Sequence, residues 1–97
     1  MNYSYHTENV CASKIDFSLE DDVVRNIVFT GGCNGNLRAI STLLEGKTVD
    51  YIESHLLGNC CGRRPTSCAD QLAKAVRKAY NEEKHIMKKI NNLLRTF

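Results

Sequence analysis

No stretch of this chain approaches the roughly 18 consecutive apolar residues that a membrane-spanning helix needs, so no membrane partner is expected. The N-terminus, Met-Asn-Tyr-Ser-Tyr-His, also lacks the basic and then apolar regions of a secretory signal, and the expected location is the cytoplasm. Charge of one sign is scarce. Thirteen basic and 11 acidic side chains leave a formal charge of +2, too weak a field to argue for nucleic acid. Basic residues do gather late in the chain, at Lys74, Arg77, Lys78, Lys84, Lys88, Lys89 and Arg95. Glu82 and Glu83 interrupt them and no aromatics interleave, which is the pattern of a solvated helix face. Repeats and linkers are missing as well, and 97 residues suffice for one compact domain with a modest core.

What is present is a change of hydrophobic period along the chain. Residues 12–19 alternate, with Ile15, Phe17 and Leu19 on one side and Asp16 and Ser18 on the other, as a half-buried strand requires. Glu20-Asp21-Asp22 reads as a turn, and Val23 to Thr30 as a β-branched and aromatic second strand, with Ile27 and Phe29 sharing a face. A hairpin alone is marginal, so helices must cover it. Residues 3–8 are expected to add an edge strand. After the bend Gly31-Gly32-Cys33-Asn34-Gly35, Leu37, Ile40 and Leu44 recur at helical spacing, and Gly46 ends that helix. Thr48 is a suitable N-cap for a second helix carrying Val49, Ile52 and Leu56, which Gly58 stops. Residues 58–65 form a loop. A last helix starts at Thr66 or Ser67, with Asp70 in its first turn, where a carboxylate favours the positive helix end. Proline and glycine are absent from Ala69 onward, so this segment is one helix of nearly thirty residues, or two with a break near Asn81, because Glu83 interrupts the apolar stripe. The fold class is α+β: a small antiparallel sheet of two or three strands covered on one face by three helices, the last one long.

Five cysteines in a reducing compartment are poor candidates for structural disulfides, which leaves metal ligands, redox-active thiols or buried small hydrophobes. Each stands at an element boundary: Cys11 before the first long strand, Cys33 at the strand-to-helix bend, Cys60 and Cys61 in the loop, Cys68 at a helix start. Helix starts present free N–H groups and a positive dipole end that favour a thiolate ligand or nucleophile, and Cys33 and Cys68 both qualify. Cys-x-x-Cys pairs of the kind that mark zinc ribbons and thioredoxin-like sites are lacking, so convergence of these thiols has to come from the fold. The glycine-rich bend has neither the Lys-Ser/Thr ending of a phosphate loop nor its spacing, and a tight turn around Cys33 is expected. His6, His55 and His85 are scattered and read as ordinary surface or helix residues. Arg63 and Arg64 would favour thiolates or an anionic cluster near Cys61 and Cys68.

The blocks Val10-Cys11-Ala12, Phe29-Thr30-Gly31-Gly32-Cys33-Asn34-Gly35-Asn36-Leu37, Cys61-Gly62 and Thr66-Ser67-Cys68-Ala69-Asp70-Gln71-Leu72-Ala73 resemble the small bacterial proteins named for a Thr-Ser-Cys-Pro-Asp motif. Ala69 stands where that family usually has proline, and both residues suit a helix's first turn. Cys60 is extra. Domains similar to these occur in the tail of some ribonucleotide reductases, so the resemblance implies residues 1–80 as a TSCPD-like domain and residues 81–97 as a helical C-terminal extension. A more distant resemblance is to iron–sulfur scaffold proteins of the NifU and IscU type, in which a cysteine before a strand pair, a Gly-Cys bend and a cysteine opening the last helix follow in the order of Cys11, Gly32-Cys33 and Cys68. Asp16 is the nearest counterpart to the scaffold's aspartate.

Three functional expectations follow. In the first, Cys11, Cys33, Cys61 and Cys68 hold zinc or an iron–sulfur cluster, with Cys60 as an alternate ligand, since four thiolates suit either centre. In the second, the domain is a thiol–redox accessory serving a ribonucleotide reductase, with Cys60 or Cys61 exchanging disulfides with Cys68. The chain is too short to hold the reductase's catalytic barrel itself. In the third, Ile86, Ile90, Leu93 and Phe97 form an apolar stripe that pairs with another copy, making a homodimer.

Overall fold

In the computed structural model, which describes residues 1–7, 12–32, 34–58 and 66–95, the elements run β1 (Asn2–His6), β2 (Ala12–Glu20), β3 (Val23–Gly31), α1 (Asn34–Leu44), α2 (Val49–Leu56) and α3 (Cys68–Arg95). The three strands form one antiparallel sheet in the order β1-β2-β3. The expected edge strand is therefore present and lies beside β2. Alternation does what it promises on β2: Ile15, Phe17 and Leu19 are buried. The opposite face is polar, where Ser18 donates to the Asn2 side chain at 2.6 Å and the Asn26 amide donates to Ser18 at 3.3 Å. Asp16 lies on this outer side, 3.6 Å from Lys14.

Strict alternation fails on β3, where Val24 and Ile27 are both buried though three residues apart. The β2–β3 register shifts between Asp16 and Ser18, so Asn26 and Ile27 oppose one residue, and Asn26 takes φ 56°. Such a bulge turns the strand so that both side chains reach the core, and asparagine is among the few residues that tolerate the left-handed conformation. The Asn26 N–H that the bulge withdraws from the ladder donates to the Glu45 carboxylate at 2.8 Å. A second shift, between Ala12 and Lys14, brings Ala12 and Ile15 to the same side.

The connector between α1 and α2 closes the first half of the β3 edge. Val24 N–H donates to the Lys47 carbonyl at 2.9 Å, Gly46 N–H to the Val24 carbonyl at 2.8 Å and Val49 N–H to the Asp22 carbonyl at 2.8 Å. Pairing of this kind leaves fewer free edge groups for another chain. Gly46 turns the chain there at φ 76°. Thr48 caps α2 as expected, its hydroxyl accepting the Tyr51 N–H at 3.1 Å.

One apolar cluster joins Ile15, Phe17, Leu19, Val24 and Ile27 of the sheet to Leu44, Val49, Ile52, Leu72, Ala73, Val76 and Ala79 of the helices. The fully buried Val, Leu, Ile and Phe side chains among them contribute about 1.5–3 kcal/mol each. Alanines at 69, 73, 75 and 79 are all buried, which lets α3 approach closely. Arg77 then ties α3 to α2, donating from Nε to Glu53 at 2.9 Å and from Nη2 to Asp50. The two carboxylates, Glu53 first, raise its already high pKa. Lys74, Lys78, Lys84, Lys88 and Lys89 lie on the expected solvated face, where Lys74 also pairs with Asp70 at 3.0 Å, whereas Arg77 departs from it as an interhelical clamp.

α3 continues through Asn81 without a break, so of the two sequence readings the single long helix is the observed one. Its second half leaves the domain near the β2–β3 turn, where Asp21, Asp22, Tyr80, Glu83, Lys84 and Met87 line a cleft of about 340 Å³. Tyr3 of β1 stacks on Phe17 at 5.6 Å, and burial first, then Glu83 and Glu82, push its phenol above the usual value. No helix of the described residues is long and apolar enough to cross a membrane.

Candidate functional site

The start of α3 is held by a dense polar clasp. Ser67 is the N-cap, its hydroxyl accepting the Asp70 N–H at 3.1 Å and its carbonyl the Gln71 N–H at 2.9 Å. In the reciprocal version of this cap, the acidic residue would reach back to the cap's own N–H. Here the Asp70 carboxylate does something else. Oδ1 accepts the Gly58 N–H at 2.7 Å, while Oδ2 accepts the Thr66 hydroxyl and lies 3.0 Å from Lys74 Nζ. Burial of Asp70, which is 2% exposed, works to raise its pKa. The bonds from Thr66 and the Gly58 N–H, together with the Lys74 ammonium, outweigh burial and hold the carboxyl below its ordinary value. With both oxygens engaged and the side chain buried, Asp70 acts as a structural anion that ties the end of α2 to the start of α3.

The direction of the Thr66 hydroxyl settles its neighbour. Because Thr66 gives its one proton to Asp70, it can only accept from Gln71, whose Nε2 donates to it at 3.0 Å. Gln71 Oε1 is then left buried without a partner among the described residues. It stands three residues on from Cys68, a spacing that puts the two on neighbouring positions of the helix surface.

Cys68, first residue of α3, is a partly exposed free thiol. Two relationships place it relative to the sheet. α2 begins at the β2–β3 turn, where Val49 N–H meets the Asp22 carbonyl, and ends near Gly58, which is bound to Asp70. Tyr80 and Met87 of α3 meet that same turn, and Cys68 lies about 18 Å up the helix from Tyr80. The start of α3 therefore lies away from the β2–β3 turn, beside the end of α2.

Of the four expected ligands, only Cys68 falls within the described residues; Cys11, Cys33 and Cys61 lie outside them, as do Cys60, Arg63 and Arg64. Among the described residues no group of three His, Cys, Asp or Glu side chains is close enough to hold a metal ion. Gly31 and Gly32 take φ 79° and 81°, and the tight turn expected around Cys33 centres on a residue outside the described ones. The histidines are as read: His6 and His85 are exposed, and His55 bonds the Tyr51 carbonyl at 2.8 Å and stacks on that ring.

The residue that sequence reasoning missed is Asp70 as a buried clamp, since it was assigned only to the helix dipole. The available signal was Ser67-Cys68-Ala69-Asp70, a serine followed three residues later by an acid. No curated protein and no solved structure matches the chain significantly. The profile of the TSCPD domain does match, over residues 1–80, which covers most of the 97 residues and includes every element up to the Tyr80 turn of α3; the chain belongs to the TSCPD domain family.

Proposed function

We propose that this domain binds a zinc ion or an iron–sulfur centre through the thiolates of Cys11, Cys33, Cys61 and Cys68, with Cys60 as an alternate ligand. The observation that supports the reading is the pairing of Ala12 with Gly31 at the end of the sheet away from the β2–β3 turn, the turn from which Cys68 is also remote along α3. Ala12 follows Cys11 directly, and Gly31 precedes Cys33 by two residues. Gly58 and Thr66, which bracket the segment carrying Cys60 and Cys61, are both bonded to Asp70, two residues from Cys68. Described neighbours of the cysteines thus come together in two groups, Ala12 with Gly31 and the Gly58 and Thr66 flanks with Asp70, and this supports the reading. Four soft thiolates fit either centre, and a bound centre would add directly to folding stability. A reducing, cytoplasmic setting suits such a site.

The test is elemental analysis with a visible absorption spectrum on protein purified without oxygen or chelator, alongside Cys→Ser variants at all five positions. Stoichiometric zinc or iron, lost on changing Cys11, Cys33, Cys61 or Cys68, is the expected result. Folded, colourless, metal-free protein would sink the proposal. That second outcome favours a thiol–redox accessory serving ribonucleoside-diphosphate reductase, a reading supported by the part-exposed free thiol of Cys68. It requires Cys68 to form a reversible disulfide with Cys60 or Cys61, detected by mass spectrometry of alkylated protein.

A further inference from the structure

β1 leaves one side of its backbone unused. Leu19 N–H donates to the Met1 carbonyl at 2.9 Å and Thr7 N–H to the Ser13 carbonyl at 3.2 Å, so the odd-numbered residues of this strand turn their backbone groups toward β2. Successive residues of an antiparallel strand point these groups to opposite sides, and the N–H and C=O of Asn2, Ser4 and His6 therefore face the open edge. Among the described residues they have no backbone partner there. Devices that usually protect such an edge are missing. The register with β2 runs unbroken from Asn2 opposite Ser18 to His6 opposite Lys14, and the strand holds no proline or lysine. The β3 edge, by contrast, is closed over its first half by the connector between α1 and α2. The α3 stripe expected to pair two copies is exposed at Ile86, Ile90 and Leu93, but no feature of it selects a partner.

We infer that the partner of this edge is the same edge of a second copy, antiparallel and centred on Ser4. The spacing of the free groups fixes that register. With Ser4 opposite Ser4 of the second copy, Asn2 of each strand lies opposite His6 of the other, and every outward N–H meets an outward C=O. A shift of one residue would set these groups against residues whose own groups are spent on β2, and a shift of two would leave Asn2 or His6 of each strand outside the ladder. On the helix-covered face the same register sets Tyr3 opposite Tyr5 on both sides of the two-fold axis, at the closely spaced positions of the ladder. Both rings are already half-buried against the core, and Tyr3 stacks on Phe17 at 5.6 Å, so the aromatic pairs extend a packed surface. On the outer face Asn2 meets His6 and Ser4 meets Ser4, and no like charges oppose each other. Such a contact closes on itself and joins two three-stranded sheets into one, with the helices of both copies on the same face.

One strand pair with its tyrosines is a small interface, of the weak and transient class, so the dimer is expected at high micromolar concentration. Sedimentation velocity of the full chain in reductant across that range, with amide hydrogen exchange on the same samples, tests it. The N–H groups of Ser4 and His6 should become at least about tenfold more protected as the dimer fills, while those of Tyr3 and Tyr5, already turned to β2, should gain far less. Ser4→Pro removes the central donor without touching a bond to β2, a change that edge strands tolerate, and should abolish the dimer while the near-UV spectrum of the domain is kept. Ser4→Lys sets two ammonium groups face to face across the axis and should weaken association at least about tenfold, which decides the matter if the proline variant does not fold. A wild-type chain that stays monomeric at millimolar concentration overturns the pairing. So does a dimer that persists unweakened in Ser4→Lys, which would assign the contact to another surface such as the α3 stripe.

Discussion

Gly58 donates its backbone N–H to the Asp70 carboxylate at 2.7 Å, and that carboxylate also accepts the Thr66 hydroxyl, so one buried side chain holds both ends of the segment between α2 and α3. Charge-assisted bonds to a buried carboxylate are among the stronger single contributions in a small domain, and removing their acceptor leaves buried donors unpaired.

Asp70→Ala should therefore destabilise the domain by about 2–4 kcal/mol in urea titrations, and the wild-type dependence on pH follows from the same bonds. The folded state holds the Asp70 carboxyl below its ordinary value of 3.8, so the unfolded chain takes up the proton first. Its contribution is complete above that ordinary value and is lost as pH falls through the lowered one. Asp70→Asn should flatten this part of the acid limb. An Asn variant with the same acid slope as wild type would show that other carboxylates govern it.

Asn26 makes a second prediction. Its φ of 56° costs most residues about 1 kcal/mol, while glycine adopts it freely. Asn26→Gly should be neutral to within about 0.5 kcal/mol, since it relieves strain but loses the 3.3 Å bond to Ser18. Asn26→Val should cost about 2 kcal/mol or more, because a β-branched residue in that conformation clashes with its own backbone. Thermal unfolding of the pair suffices; equal melting temperatures would mean that the bulge does not constrain this position.

The sheet and the helices were legible because their signals are local. Ile15, Phe17 and Leu19 alternate, Thr48 and Gly46 punctuate, and the stripe from Leu72 to Tyr80 keeps helical spacing. What could not be read is whatever depends on two distant segments meeting. Neither the bulge at Asn26 nor its carboxylate partner Glu45 has a signature, since the first depends on burying Val24 and Ile27 together and the second on where α1 ends. Arg77 was read with its lysine neighbours as solvated because nothing local indicates that Glu53 lies opposite. Glu83 looked like a break in α3, yet an apolar stripe that is not buried by its own chain has no need to be continuous. Cys68 was legible as a candidate from its place at a helix start, whereas the clasp beside it needed Gly58 to be brought back from α2.

Within Thr66-Ser67-Cys68-Ala69-Asp70 the structure separates two kinds of residue, and stability measurements can check the separation. Thr66, Ser67 and Asp70 each hold a bond that fixes the helix start, and Ala69 is buried against the core. Cys68 alone is partly exposed, with a free thiol. Ser67→Ala should cost about 1 kcal/mol, the usual value of a helix N-cap, and Ser67→Asp should retain most of it. Cys68→Ser, measured in the presence of a strong chelator and reductant, should stay within about 0.5 kcal/mol of wild type, as substitutions at positions without structural bonds do. If instead Cys68→Ser destabilises as much as Ser67→Ala under those conditions, the thiol serves packing, and both the metal and the redox readings lose their one described ligand. If the loss appears only when chelator is omitted, it reports a centre that stabilises the fold through Cys68.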